Sequence, residues 1–145
     1  MEKWCVYCGD WYECKDHVIP ISYNQVRSRD YNPKETAPSC RECNALLSNR
    51  AFHTIESRAE FLRWQYIRRR KKILSFPDWT QEEIDQLGYA LKTGIIEKLA
   101  NRYLYMRKLK NLEAVSQGFQ AQPLNDMCTA SRDSIPNIDE QVAIL

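Results

Sequence analysis

With 145 residues, 43% of them hydrophobic, and a formal net charge of +2, the chain is long enough for one ordinary domain, or for a small domain with an extension. No apolar stretch is long enough to cross a bilayer, and no positively charged start leads into an apolar run, so neither a membrane span nor a secretory signal is expected. The expected setting is a reducing, cytoplasmic one, where paired cysteines more often bind metal than form disulfides. The small total charge hides an uneven distribution: residues 50–72 carry 8 Lys/Arg against 2 Asp/Glu, whereas residues 114–145 carry 1 against 4. A concentrated basic block of this kind is the electrostatic footprint of a phosphate-binding face.

Along the chain, segment 4–44 is rich in turn formers and cysteines and has little helical periodicity. The first 50 residues are about the size at which a chain needs metal or disulfides to hold together. A short strand is expected around Asp16, ending at Pro20 because proline cannot continue a ladder. Residues 21–36 read as a polar loop with Asn32-Pro33 as its turn signal. A helix is expected to begin near Cys40-x-x-Cys43 and to run through Leu46 and Leu47.

A second helix is predicted from about Arg58 to Leu74, opened by a Ser57/Glu60 capping box. Ile55, Ala59, Leu62 and Tyr66 recur at helical steps and give it one apolar face, widened by Phe61 and Trp64. Arg63, Arg68, Arg69, Arg70, Lys71 and Lys72 load the remainder. Trp64, Tyr66, Tyr103 and Tyr105 read as core rather than as base-stacking platforms. Thr80 and Glu83 open the next helix with a second capping box, and Trp79 with Ile84 fits a hydrophobic staple. Gly94 is expected to separate it from a further helix, roughly Ile95 to Glu113. From about Ser116 the pattern dissolves into a polar tail, weakly ordered or docked on a partner.

The two C-x-x-C pairs, 31 residues apart, suit tetrahedral zinc held by Cys5, Cys8, Cys40 and Cys43. Gly9, directly after Cys8, permits the tight turn that aims both sulfurs at one ion. Cys14 is a competitor for a zinc position or a free thiol, and Cys128 lies in the loose tail. Between and beside the pairs stand Asp16-His17 and Asn44. A neutral imidazole can take a proton from water near pH 7, which suits His17 as a general base. Asp16 and the Asn44 carbonyl offer hard oxygens, and a magnesium-like cation needs only one or two of these from protein. His53 is either an extra ligand or a surface histidine.

The order Cys5-x-x-Cys8, Asp16-His17-Val18-Ile19-Pro20, Cys40-x-x-Cys43-Asn44 resembles the zinc-supported branch of the HNH endonucleases. Its layout is similar to the phage Holliday-junction resolvase group, and the resemblance covers about residues 4–50. It implies an α+β fold: a zinc-stabilised ββα-metal (HNH/treble-clef-like) core at 1–53, followed by a mainly α-helical extension at 54–115 and a tail at 116–145. It also implies that His17 activates the attacking water, while Asp16 and Asn44 hold one catalytic Mg2+ or Mn2+ on the scissile phosphate of double-stranded or branched DNA. The Zn2+ on the four cysteines would only brace this frame. Double-strand cleavage would need a homodimer or two successive nicks. A phage-like source would add a host-cytoplasm location and a larger phage protein assembly as partner.

Arg50, Arg63, Arg68, Arg69, Arg70, Lys71 and Lys72 are the expected contacts to the DNA backbone, with a solvated helix face as the alternative. The family usually carries asparagine five residues before the third cysteine. This chain has Glu35 there, and a carboxylate accepts hydrogen bonds but cannot donate as an amide does. The rival readings are an RNase on the same fold, a zinc-containing nucleic-acid-binding module, and a packaging or assembly accessory without cleavage of its own.

Overall fold

The structure, a computed structural model, describes residues 4–18, 36–48, 50 and 52–124. Pro20, the loop with Asn32-Pro33, Glu35, Cys128 and the tail beyond residue 124 lie outside them. Two strands, β1 (Cys14–His17) and β2 (Thr36–Ser39), form a small antiparallel sheet. Cys14 faces Ser39, Lys15 faces Pro38, Asp16 faces Ala37 and His17 faces Thr36. Five helices follow: α1 (Arg41–Leu47), α2 (Ile55–Arg69), α3 (Lys71–Leu74), α4 (Gln81–Asp85) and α5 (Tyr89–Ser116). The fold is therefore α+β, with the sheet confined to the cysteine-bearing end.

A two-stranded ribbon is marginal by itself and needs a partner. The cysteine turn supplies one. Residues 4–11 fold back through a Trp4–Trp11 bridge, and Val6 N–H donates to the Pro38 carbonyl at 2.9 Å. Pro38 has no N–H of its own, yet its carbonyl still joins the sheet to the turn. Gly9 closes the turn at φ 82°, where a Cβ would lie 2.2 Å from the Gln122 carbonyl oxygen and 2.7 Å from Asn111 Nδ2. No other residue fits there.

Helix α2 begins earlier than its sequence pattern predicts. The capping box is Thr54 with Ser57, each side chain meeting the other's backbone N–H, rather than Ser57 with Glu60. Ile55, the first helical residue, packs partly buried against the core cluster. The helix breaks at Arg70 (φ −106°, ψ 20°) before α3, so the expected single helix to Leu74 is two. The Thr80/Glu83 box forms as expected, with Thr80 N–H donating to Glu83 Oε2 at 2.8 Å and Glu83 N–H to Thr80 Oγ1 at 3.2 Å.

Gly94 does not divide the following helices. It lies inside α5, which runs unbroken for 28 residues, about 42 Å at 1.5 Å per residue. Nothing lies within 4 Å of where its Cβ would be, so it costs only the propensity loss of about 1 kcal/mol. Gly88, the N-cap, marks the actual boundary.

Helix α2 packs along α5, and both close over the cysteine turn. Leu62, Tyr66, Leu112 and Val115 share one buried cluster with Leu47 and the four cysteines. The segments 1–53 and 54–115 thus have a common core among the described residues. After α5 the chain turns at Gly118 (φ 91°) and returns to the cysteine turn, where Leu124 N–H donates to the Gly9 carbonyl at 2.9 Å. Residues 121–124 are therefore docked, with Ala121 and Leu124 buried. Trp64 departs from its core assignment: it is 59% exposed, and its indole N–H donates to Glu60 at 2.9 Å.

Candidate metal centre and the Asp16-His17 strand end

The four cysteines meet where three local structures end. Cys5 and Cys8 flank the turn. Cys40 is the N-cap of α1, its sulfur accepting from Cys43 N–H at 3.4 Å, and Cys43 lies in the first turn of α1. Their sulfurs all lie within 4.8 Å of one another, and all four residues are buried. Tetrahedral zinc with Zn–S bonds of about 2.3 Å places sulfurs about 3.8 Å apart, and Cys8 Sγ and Cys40 Sγ are separated by 3.6 Å. Every described cysteine is a free thiol, so the pairs are not disulfides. The donor set fits a closed, four-coordinate structural zinc site. Among the described residues it is the one cluster of His, Cys, Asp and Glu close enough to hold an ion, and Cys14 is outside it.

Hydrogen bonds within the quartet, chiefly from Cys43, hold Cys40 below the usual thiol range. Burial and its sulfur neighbours push Cys43 well up. Such a shared-proton cluster gives up its protons when a cation binds, so zinc affinity rises with pH through the thiol range.

The helices supply the walls. Tyr66 Oη lies 3.2 Å from Cys43 Sγ, and Asn111 Nδ2 donates to the Cys8 carbonyl at 2.8 Å. Lys108, 3% exposed, reaches Asp10 Oδ2 at 2.9 Å and Glu42 Oε2 at 3.5 Å. Burial alone would lower its pKa, but the negative charge of Cys8 and the Asp10 carboxylate reverse the direction and raise it.

On β1, Asp16 has a different position from the one the motif implies. It is 2% exposed and points into the protein. Arg58 Nη2 donates to its Oδ1 at 2.7 Å, Arg58 Nε to its Oδ2 at 2.8 Å, and Tyr7 Oη to Oδ2 at 2.5 Å. The remaining Arg58 nitrogen donates to the carbonyls of Val18, Arg50 and Phe52 at 3.1, 3.4 and 2.8 Å. As arranged, Asp16 offers no oxygen to solvent, and a divalent cation placed on it would stand beside the Arg58 charge. His17, the last residue of β1, is half-buried, as is Asn44, one residue past Cys43 on α1.

The expected phosphate contacts divide. Arg68, Arg69, Lys71 and Lys72 are exposed at the end of α2 and on α3. Arg50 is exposed and lies over the Phe61 ring at 5.2 Å, and Arg63 lies against Trp64 at 5.7 Å. Arg70 is engaged in the fold: Nη2 donates to Glu42 at 2.6 Å, and the guanidinium covers the Tyr105 ring at 4.8 Å. His53 is exposed and outside the quartet.

Arg58, Lys108 and Asn111 were not singled out from sequence, yet a signal existed. Ile55, Arg58, Ala59 and Leu62 follow the i, i+3, i+4, i+7 rule, as do Lys108, Asn111, Leu112 and Val115. A polar residue on an apolar stripe is buried with the rest of that stripe and must find partners there.

No family model, no curated protein and no solved structure matches this chain. No described helix is long and apolar enough to cross a membrane.

One consequence of the buried groups is a pH dependence. Burial and the Asp16 charge raise Tyr7, burial and the neighbouring cysteines raise Tyr66, and Lys108 is raised as above. In each case the folded protein keeps a proton that the unfolded chain surrenders above about pH 10. Their stabilisation is fully present below that pH and declines as pH rises beyond it. Urea midpoints are expected to fall between about pH 10 and 11; a profile level across that interval would contradict the burial of these groups.

Proposed function

We propose that this chain is a zinc-braced, metal-dependent endonuclease of the HNH type that hydrolyses DNA phosphodiester bonds, with His17 as general base. The observation that carries the reading is the common origin of the motif residues. β1 ends in Asp16-His17 and pairs with β2. β2 leads directly into Cys40, and α1 presents Asn44 one residue beyond Cys43. A single braced unit would thus hold base and oxygen ligand in fixed relation, which matters because small misplacements are costly in rate. His17 would take a proton from water as the water oxygen bonds to phosphorus, and the 3′ oxygen would leave and take a proton from solvent, producing 5′-phosphate and 3′-hydroxyl ends. A bound Mg2+ or Mn2+ would supply Lewis acidity at the phosphate. Asn44 would be its protein ligand, and Asp16 could serve only by yielding one oxygen from Arg58. The exposed Arg68, Arg69, Lys71 and Lys72 would grip the DNA backbone.

The test is cleavage of supercoiled plasmid in magnesium or manganese by wild type and His17→Ala. Nicked or linear product is expected from the wild type, with a loss of about 10²–10⁴-fold in the variant at unchanged circular dichroism. Equal cleavage by the two proteins would remove His17 from the chemistry. A second reading is favoured by the Asp16–Arg58 pair: a zinc module that binds nucleic acid without cutting it. A folded, zinc-loaded wild type that shifts DNA in a salt-dependent manner but never nicks it would establish that reading instead.

A further inference from the structure

Burying a tetrathiolate zinc site has an electrostatic cost. Four thiolates and one divalent cation leave a net charge of about −2 in a low-dielectric interior, and such charge must be met by donors or cations. Cys5, Cys8 and Cys43 have no exposed surface, so water cannot supply them. The backbone contributes Cys43 N–H to Cys40 Sγ. From the helices, Tyr66 reaches a sulfur directly and Lys108 reaches the acids beside both cysteine pairs.

We propose that Tyr66 and Lys108 are positioning residues of the metal centre: the Tyr66 hydroxyl donates a hydrogen bond to the Cys43 thiolate, and Lys108 ties the two cysteine segments together. A metal-bound thiolate carries no proton, so at 3.2 Å the phenol must be the donor. Lys108 bridges the loops through their own acids. Asp10 follows the Cys5–Cys8 turn, and Glu42 stands between Cys40 and Cys43. Its Nζ also lies over the rings of Tyr66 and Tyr105, at 5.9 and 5.1 Å from their centroids. One turn further along α5, Asn111 holds the Cys8 carbonyl. The long helix is therefore a clamp laid across both halves of the site. The inference is independent of whether the chain cuts DNA.

An outer partner of this kind commonly contributes about 10–100-fold in metal affinity. A hydrogen bond to a thiolate also withdraws electron density and lowers its nucleophilicity. The experiment compares full-length, zinc-loaded wild type with Tyr66→Phe, which keeps the ring and removes only the hydroxyl. Two rates are read: zinc transfer to a chromogenic chelator, and iodoacetamide alkylation of each cysteine by peptide mass mapping. Tyr66→Phe is expected to speed zinc transfer about tenfold and to raise alkylation of Cys43 selectively over Cys5. A merely structural tyrosine would alter all four cysteines together, so an unchanged Cys43-to-Cys5 ratio overturns its role. Lys108→Met is expected to speed zinc transfer without selectivity among the sulfurs, and Lys108→Arg to restore most of the wild-type rate. If Tyr66→Phe fails to fold around zinc, the lysine pair decides, and wild-type transfer rates in Lys108→Met refute the clamp.

Discussion

Replacing Arg58 with methionine is expected to destabilise the protein by about 3–5 kcal/mol, the usual result of removing one member of a buried ion pair. The two side chains are 0% and 3% exposed, so the substitution leaves the Asp16 carboxylate uncompensated in the interior, with only the Tyr7 hydroxyl against it. The Val18, Arg50 and Phe52 carbonyls lose their donor at the same time. Urea unfolding of the zinc-loaded protein measures the change, and a midpoint like that of the wild type would mean the pair does not form. Because two charges cost more to bury than two apolar groups, Asp16→Leu combined with Arg58→Met should recover much of the loss. A double variant no more stable than Arg58→Met would point instead to the backbone carbonyls as the main clients of Arg58. Methionine can fill the space of the Arg58 stem, so the effect reports on charge and hydrogen bonding more than on packing.

The second large effect is expected from metal removal. Structural zinc binding is worth about 10–16 kcal/mol in small cysteine-held modules and is in effect folding free energy. The four-residue strands cannot stand without support. Because the quartet shares one buried cluster with Leu62, Tyr66 and Leu112, the loss should not stop at the cysteine-bearing end. Elemental analysis should find about one zinc per chain. Treatment with a strong chelator should abolish the near-ultraviolet signal and reduce the helical signal of α2 and α5 together. A folded protein without zinc would contradict the proposed role of the quartet. Retention of full helicity after the cysteine turn melts would show that α2 and α5 are stable as a pair.

How far the sequence reached can be judged element by element. The cysteine quartet was legible because C-x-x-C spacing is a local rule: two residues between ligands set both sulfurs on one turn, wherever the rest of the chain goes. The Thr80/Glu83 box and the stripe Ile55, Ala59, Leu62, Tyr66 were legible for the same reason, since capping and helical periodicity act over a few residues. Gly94 misled because a glycine's propensity loss of about 1 kcal/mol is a local term, too small to break a 28-residue helix anchored by the burial of Lys108, Asn111, Leu112 and Val115. Ser57 was likewise a plausible cap by itself. The helix instead starts at Ile55, capped by Thr54, with Ile55 packed partly buried against the core.

The orientation of Asp16 belongs to the tertiary structure alone. In sequence it precedes His17 and resembles a cation ligand. In the fold it accepts from Arg58, 42 positions away, because strand alternation turns it inward and α2 lays a guanidinium across it. In the same way Arg70 passes from the basic run to Glu42, Trp64 from the apolar face to solvent, and Lys108 from an ordinary helix charge to the edge of the cysteine quartet. What the sequence determined about this protein by itself was short-range: which residues make turns, caps, stripes and two closely spaced cysteine pairs. What only the tertiary structure decided was which charges face one another, because burial and Coulomb interactions act between residues that the chain brings together only after folding.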